Sequence, residues 1–144
     1  MDEYYFLFGI ALVWVIAACY QDIRKREVAN WINFSLMGIA LAYRGFYASF
    51  YNDWKFFIFG VIGFAVFIVL ANLFYYARIF AGGDAKLLMG LGIILPYQNY
   101  WDFALLSVLF IFLLFAVGAI YSLVYSLFIV RKKWGLFKGG FRRY

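Results

Sequence analysis

Long stretches of this chain carry no charged residue, and this feature limits its fold more than any other. Residues 4–20 and 103–130 contain no Asp, Glu, Lys or Arg. A helix needs about 20 mainly apolar residues to cross a bilayer. The whole chain is 68% hydrophobic, well above the roughly 45–50% of soluble domains. We therefore expect an all-α, polytopic integral membrane bundle of about five, or six, transmembrane helices.

The expected spans follow from the apolar runs and their breaks. They cover residues 4–20, 31–50, 55–79, 87–95 and 103–130. The fourth run is short unless its helix begins at Asp84 or earlier, and it could also be re-entrant. Residues 1–130 are thus expected to form a transmembrane helical domain, and residues 131–144 a basic, aromatic cytoplasmic tail.

The basic residues predict the orientation of the chain in the membrane. With the N-terminus outside and five crossings, 11 of the 13 Lys and Arg residues fall on the inner side, as the positive-inside rule requires. Six of them lie in the tail, where anionic lipid is a better partner than nucleic acid because no domain intervenes. Arg44, within the second span, is expected to snorkel to the outer interface.

The residue types that are missing exclude several kinds of site. The chain has no histidine, and Cys19 is its one cysteine. A Ser–His–Asp triad, a Cys–His pair, and His or multi-Cys metal sites therefore cannot form within one chain. We expect neither a metal nor another cofactor.

Three of the seven carboxylates fall on the inner side of the predicted topology, namely Asp22, Glu27 and Asp84. Asp22 follows the first span and Asp84 precedes the fourth, so both lie at the same membrane depth. Two facing carboxyl groups tend to share one proton, and such a pair can activate water against a peptide carbonyl. Other interpretations stay open: Asp22 as an ordinary interfacial charge or as an intrahelical partner of Arg26, and Asp84 as a helix N-cap.

Two short stretches resemble the type IV prepilin peptidases, a family that includes the archaeal preflagellin peptidases. Residues 22–30, DIRKREVAN, resemble the motif after the first span, and residues 81–88, AGGDAKLL, resemble the GxGD motif. The resemblance implies a multi-pass aspartic endopeptidase of the cell membrane that removes leader peptides from pilin-like or preflagellin precursors at the cytoplasmic face. It implies Asp22 and Asp84 as the catalytic residues. The inner loop is short and lacks cysteine, so no N-methyltransferase activity is expected.

Other residues of the two motifs are candidates for supporting roles. Gly82 and Gly83 are expected to allow close backbone approach in the loop. Lys86 resembles the family's lysine, which would lower the pKa of the aspartate pair, contact a carbonyl or bind lipid phosphate. Glu27 and Asn30 are candidate substrate contacts. The chain departs from the family pattern twice, with Ala81 in place of a glycine and Ala29 in place of a proline.

Two other functions are compatible with the same residues. The chain could be a small ion- or proton-coupled transport subunit, because carboxylates within membranes often mark ion paths. It could also be a non-catalytic membrane subunit of a pilus or secretion assembly. Replacing either aspartate by asparagine would separate these alternatives, since a protease would lose all turnover while staying folded and a scaffold would keep its partners. The sequence leaves the oligomeric state open.

Overall fold

The computed structural model describes residues 2–132, which form five α-helices. These are α1 (Asp2–Lys25), α2 (Asn30–Tyr51), α3 (Trp54–Tyr76), α4 (Gly82–Ile94) and α5 (Tyr100–Lys132). The expected all-α membrane bundle is therefore confirmed. Most of the predicted tail, residues 133–144, lies outside the described part of the chain.

Three helices are long and apolar enough to cross a membrane, over Glu3–Lys25, Trp54–Tyr76 and Tyr100–Arg131. They correspond to the first, third and fifth predicted spans. The helix α2 has 22 residues, or about 33 Å at 1.5 Å per residue. The helix α4 begins ahead of Asp84 but has only 13 residues. Its length of about 20 Å is less than the roughly 30 Å hydrocarbon core of a bilayer.

The short helix α4 packs against α1, α2 and α3, within the compact unit Met1–Ser107. Its contact with α3 is a close approach of two backbones. A Cβ atom at Gly63 would overlap the carbonyl oxygen of Gly92, and one at Gly92 would overlap Phe67. Small residues allow such approaches between membrane helices, where they increase van der Waals contact. Gly90 also lies on a tightly packed face, against Leu36.

The second unit, Val108–Tyr144, is described as far as residue 132. This described part belongs to the helix α5. Most side chains between residues 108 and 131 are apolar and exposed. A helix of this composition is suited to lipid rather than to water.

The prediction for Arg44 is wrong, because its side chain is fully buried instead of reaching the interface. Its guanidinium donates hydrogen bonds to the carbonyl oxygens of Phe56 and, at 2.9 Å, of Leu95. It also lies 4.4 Å from the centre of the Phe56 ring. Leu95 caps the C-terminus of α4, the end at which the helix dipole favours a cation. These acceptors replace the water that a snorkelling arginine would seek.

Candidate active site

A cavity of about 460 Å³ lies between the α1–α2 connection and the first turn of α4. The residues that the sequence motifs singled out come together in its wall. Its lining includes Asp22, Glu27, Asn30, Gly82, Gly83, Asp84 and Lys86. Residues far apart in the chain thus meet in one place, which neither motif could establish alone.

Asp22 lies in the last turn of α1, just before the helix ends. Arg26 ends this helix in the left-handed conformation, with φ at 56°, and its backbone N–H donates to the Asp22 carbonyl oxygen at 2.7 Å. The interpretation of Asp22 and Arg26 as an intrahelical pair is therefore wrong, because Arg26 is no longer in the helix. Asp22 and Arg26 both line the cavity.

Asp84 is the third residue of α4, and the N-cap position belongs to Ala81. The interpretation of Asp84 as an N-cap is therefore wrong. Partial burial raises the pKa of Asp84, the charge of Asp22 raises it further, and a hydrogen bond with the Ala81 backbone opposes both effects. Asp84 therefore keeps its proton to a higher pH than an isolated aspartate.

Gly83 and Gly82 differ in the space around them. A Cβ atom at Gly83 would lie 3.1 Å from Val28 Cβ and 3.3 Å from the Val28 backbone nitrogen and oxygen. At Gly82 the nearest atom would be Tyr75 Cε2, at an ordinary 3.6 Å. The missing side chain of Gly83 therefore lets the α1–α2 connection lie directly against the first turn of α4.

The two departures from the family pattern have simple structural explanations. Ala81 has φ at −69° and ψ at 158°, a conformation that does not require glycine. Ala29 has φ at −67°, close to the value that proline would fix. Its backbone N–H donates to Gln21 Oε1 at 2.6 Å, a hydrogen bond that proline could not make. Gln21 thus restrains this turn by another means.

Lys86 and Asn30 bind each other across the cavity wall, with Lys86 Nζ donating to Asn30 Oδ1 at 2.6 Å. The pKa of Asp84 is raised, so Lys86 does not bring it below its usual value. The sequence interpretation missed Asn33, which is fully buried and donates from Nδ2 to the Gly83 carbonyl oxygen at 3.1 Å. Its position one turn after Asn30, inside an apolar span, was the available signal.

Comparison with known proteins identifies the family. Residues 9–134 match the type IV leader peptidase family. A preflagellin peptidase of Methanocaldococcus jannaschii is 28% identical over 92 residues, covering 64% of this chain and 39% of the relative. A preflagellin peptidase of Methanococcus voltae is 32% identical over 92 residues, covering 62% of this chain and 38% of the relative.

This chain therefore spans about two fifths of the length of these curated relatives. No solved structure matches it significantly. The family match covers most of the chain, including both sequence motifs and every residue of the cavity wall named above. The chain belongs to the type IV leader peptidase family.

Proposed function

We propose that this chain is a membrane-embedded aspartic endopeptidase that removes the leader peptide of preflagellin or pilin-like precursors at the cytoplasmic membrane face. The observation that carries the proposal is that Asp22 and Asp84, 62 residues apart, line one cavity. The charge of Asp22 also helps to raise the pKa of Asp84, as expected for two carboxyl groups that share a proton. The similarity to preflagellin peptidases supports this substrate class.

In the proposed mechanism the two carboxyl groups act as a unit that holds one proton. The ionised carboxylate takes a proton from a water molecule as that water attacks the scissile carbonyl carbon. The protonated carboxyl group donates a hydrogen bond to the carbonyl oxygen, and its proton passes to the leaving amine as the C–N bond breaks. Because the pair titrates together, neither Asp22 nor Asp84 has a fixed role before substrate binds.

The proposed location of the site follows from charge. Arg24, Lys25 and Arg26 lie beside Asp22 at the end of the first span, and such clusters mark the cytoplasmic side of a membrane. Anionic lipid headgroups are the expected partners of these residues and of the basic tail. Within the cavity, Glu27 and Asn30 are proposed to contact the precursor. The reaction as proposed uses no metal or other cofactor, and no N-methylation follows it.

The test compares leader removal by purified variants in detergent, with a preflagellin precursor as substrate. Asp22→Asn and Asp84→Asn are expected to lose cleavage by at least about a thousandfold, because each removes one partner of the proton-sharing pair. Asp102→Asn is the matched control, since Asp102 lies in the first turn of α5 and outside the cavity wall. It should cleave like the wild type.

Thermal unfolding of each variant shows whether a loss of activity reflects loss of the fold. If a folded Asp22→Asn or Asp84→Asn variant cleaves normally, the two-aspartate mechanism is wrong. If the wild type cleaves none of a panel of preflagellin and pilin-like precursors, the proposed substrate class is wrong. Ion-flux measurements in vesicles would then test the transport alternative.

A further inference from the structure

Two asparagines of α2, one helical turn apart, hold the first turn of α4. Asn30 Oδ1 accepts a hydrogen bond from Lys86 Nζ, and Asn33 Nδ2 donates one to the Gly83 carbonyl oxygen. Asp84 lies between these two points of attachment in the sequence of α4. The contact of Asn30 is exposed, whereas Asn33 is completely buried. The Asn33 contact, which is part-buried, is therefore better shielded from competition with water than the Asn30 contact.

The fold alone does not explain an asparagine at position 33. Its Oδ1 atom is buried and has no hydrogen-bond partner, and an unsatisfied buried acceptor costs free energy. The Gly83 carbonyl does not depend on Asn33 either, because within α4 it faces the backbone N–H four residues on. An apolar side chain of similar size would avoid this cost. The amide must therefore contribute something other than stability.

The Asn33 amide restrains the orientation of the first turn of α4. The first turn of α4 begins with Gly82 and Gly83, and glycine is a poor helix former with a large conformational freedom. Packing of Val28 against Gly83 limits how closely the turn approaches, but a van der Waals contact restrains rotation weakly. A hydrogen bond to the Gly83 carbonyl restrains the peptide group that leads directly into Asp84. It therefore limits the rotation of that turn about the helix axis.

We propose that Asn33 is a positioning residue that holds the first turn of α4 so that the Asp84 carboxyl group faces Asp22. The proposal rests on the proposed function above, because it gives the two aspartates a shared catalytic task. Asn33 does not line the cavity, so it acts through Gly83 and not on the substrate.

The experiment replaces the amide with an apolar side chain of similar size, Asn33→Leu, in the full chain. We expect kcat for precursor cleavage to fall at least tenfold, with KM within twofold of the wild type. We expect the melting temperature to stay the same or rise, because the unsatisfied Oδ1 is removed. The alkaline limb of the pH–rate profile should move to lower pH, because Asp84 turns away from Asp22. If the leucine variant does not fold, Asn33→Ala takes its place in the same measurements.

The matched control is Asn72→Leu. Asn72 lies on α3, is exposed, and donates to the Ile68 carbonyl oxygen within its own helix. This variant makes the same chemical change away from α4, so its kcat and pH profile should match those of the wild type.

The outcomes separate this inference from the proposed function. Wild-type kcat and pH profile in Asn33→Leu would overturn the inference alone, as would an activity loss that merely follows the unfolded fraction. A wild type that cleaves no precursor would count against the proposed function. If the wild type cleaves no precursor, infrared spectroscopy still tests the inference. The carboxyl band of Asp84 is identified as the one that the Asp84→Asn variant lacks, and its titration is followed with pH. The band should titrate at lower pH in Asn33→Leu, and an unchanged titration would refute it.

Discussion

Gly83→Ala tests whether the close approach of the α1–α2 connection to α4 is needed for catalysis. The added methyl group would lie 3.1 Å from Val28 Cβ and 3.3 Å from two Val28 backbone atoms, where ordinary contacts begin at 3.4 Å. None of these three neighbours can move aside by a change of rotamer, because the backbone fixes the position of a Cβ atom as well. The connection must therefore shift by a few tenths of an ångström.

The effect on stability should be small, because two contributions oppose each other. Overpacking a close contact costs about 1–3 kcal/mol, and alanine is a better helix former than glycine by about 1 kcal/mol. A net destabilisation of about 0–2 kcal/mol follows. The effect on catalysis should be larger. A misplacement of 1 Å can cost about a hundredfold in rate, so a shift of a few tenths of an ångström predicts a loss of about three- to tenfold.

The assay measures leader removal by Gly83→Ala and by its neighbour Gly82→Ala, together with their melting temperatures in detergent. Gly82→Ala is the matched control, because its methyl group would meet only Tyr75 Cε2 at 3.6 Å. It should keep wild-type activity and gain up to about 1 kcal/mol in stability. If Gly83→Ala cleaves as fast as Gly82→Ala, the close contact has no part in shaping the site, and the reasoning is refuted.

Two further predictions concern charged side chains. The pKa of Asp84 is raised in the folded state. As the pH rises, Asp84 therefore ionises in the unfolded chain at a lower pH than in the folded protein. This difference lowers the free energy of unfolding. The Asp84→Asn variant should therefore have a higher melting temperature than the wild type at pH 7 but not at about pH 3. An equal difference in melting temperature at both pH values would contradict this prediction. Arg44→Ala removes the buried hydrogen bonds to Phe56 and Leu95 and should cost about 3 kcal/mol or more in detergent unfolding. A snorkelling arginine would leave the melting temperature nearly unchanged.

The position of the two aspartates could be predicted from the sequence because it depends on local features. Apolar runs of sufficient length specify helices in lipid, and the breaks between the runs assign each helix end to one side. Asp22 and Asp84 both stand at such breaks, on the same side of the predicted topology, so their meeting in one cavity was predictable without any knowledge of side-chain packing.

The supporting contacts were not predictable, because each joins residues that are distant in the chain. Arg44 was expected at the interface, yet it binds Leu95, 51 residues away. Asn33 finds its partner 50 residues away, at Gly83. A polar residue in an apolar run signals only that some partner is needed. Which partner it finds depends on how the helices pack.

Hydropathy, charge and two short motifs in the sequence were thus sufficient to predict the helical membrane class, the family and the candidate aspartates. The tertiary structure alone decided how the site is held together. It showed that Gly83, and not Gly82, makes the close contact with Val28, and that a glutamine hydrogen bond restrains the turn at Ala29. The physical reason is that hydropathy acts on each segment separately, whereas close packing and buried hydrogen bonds exist only between segments that have already been brought together.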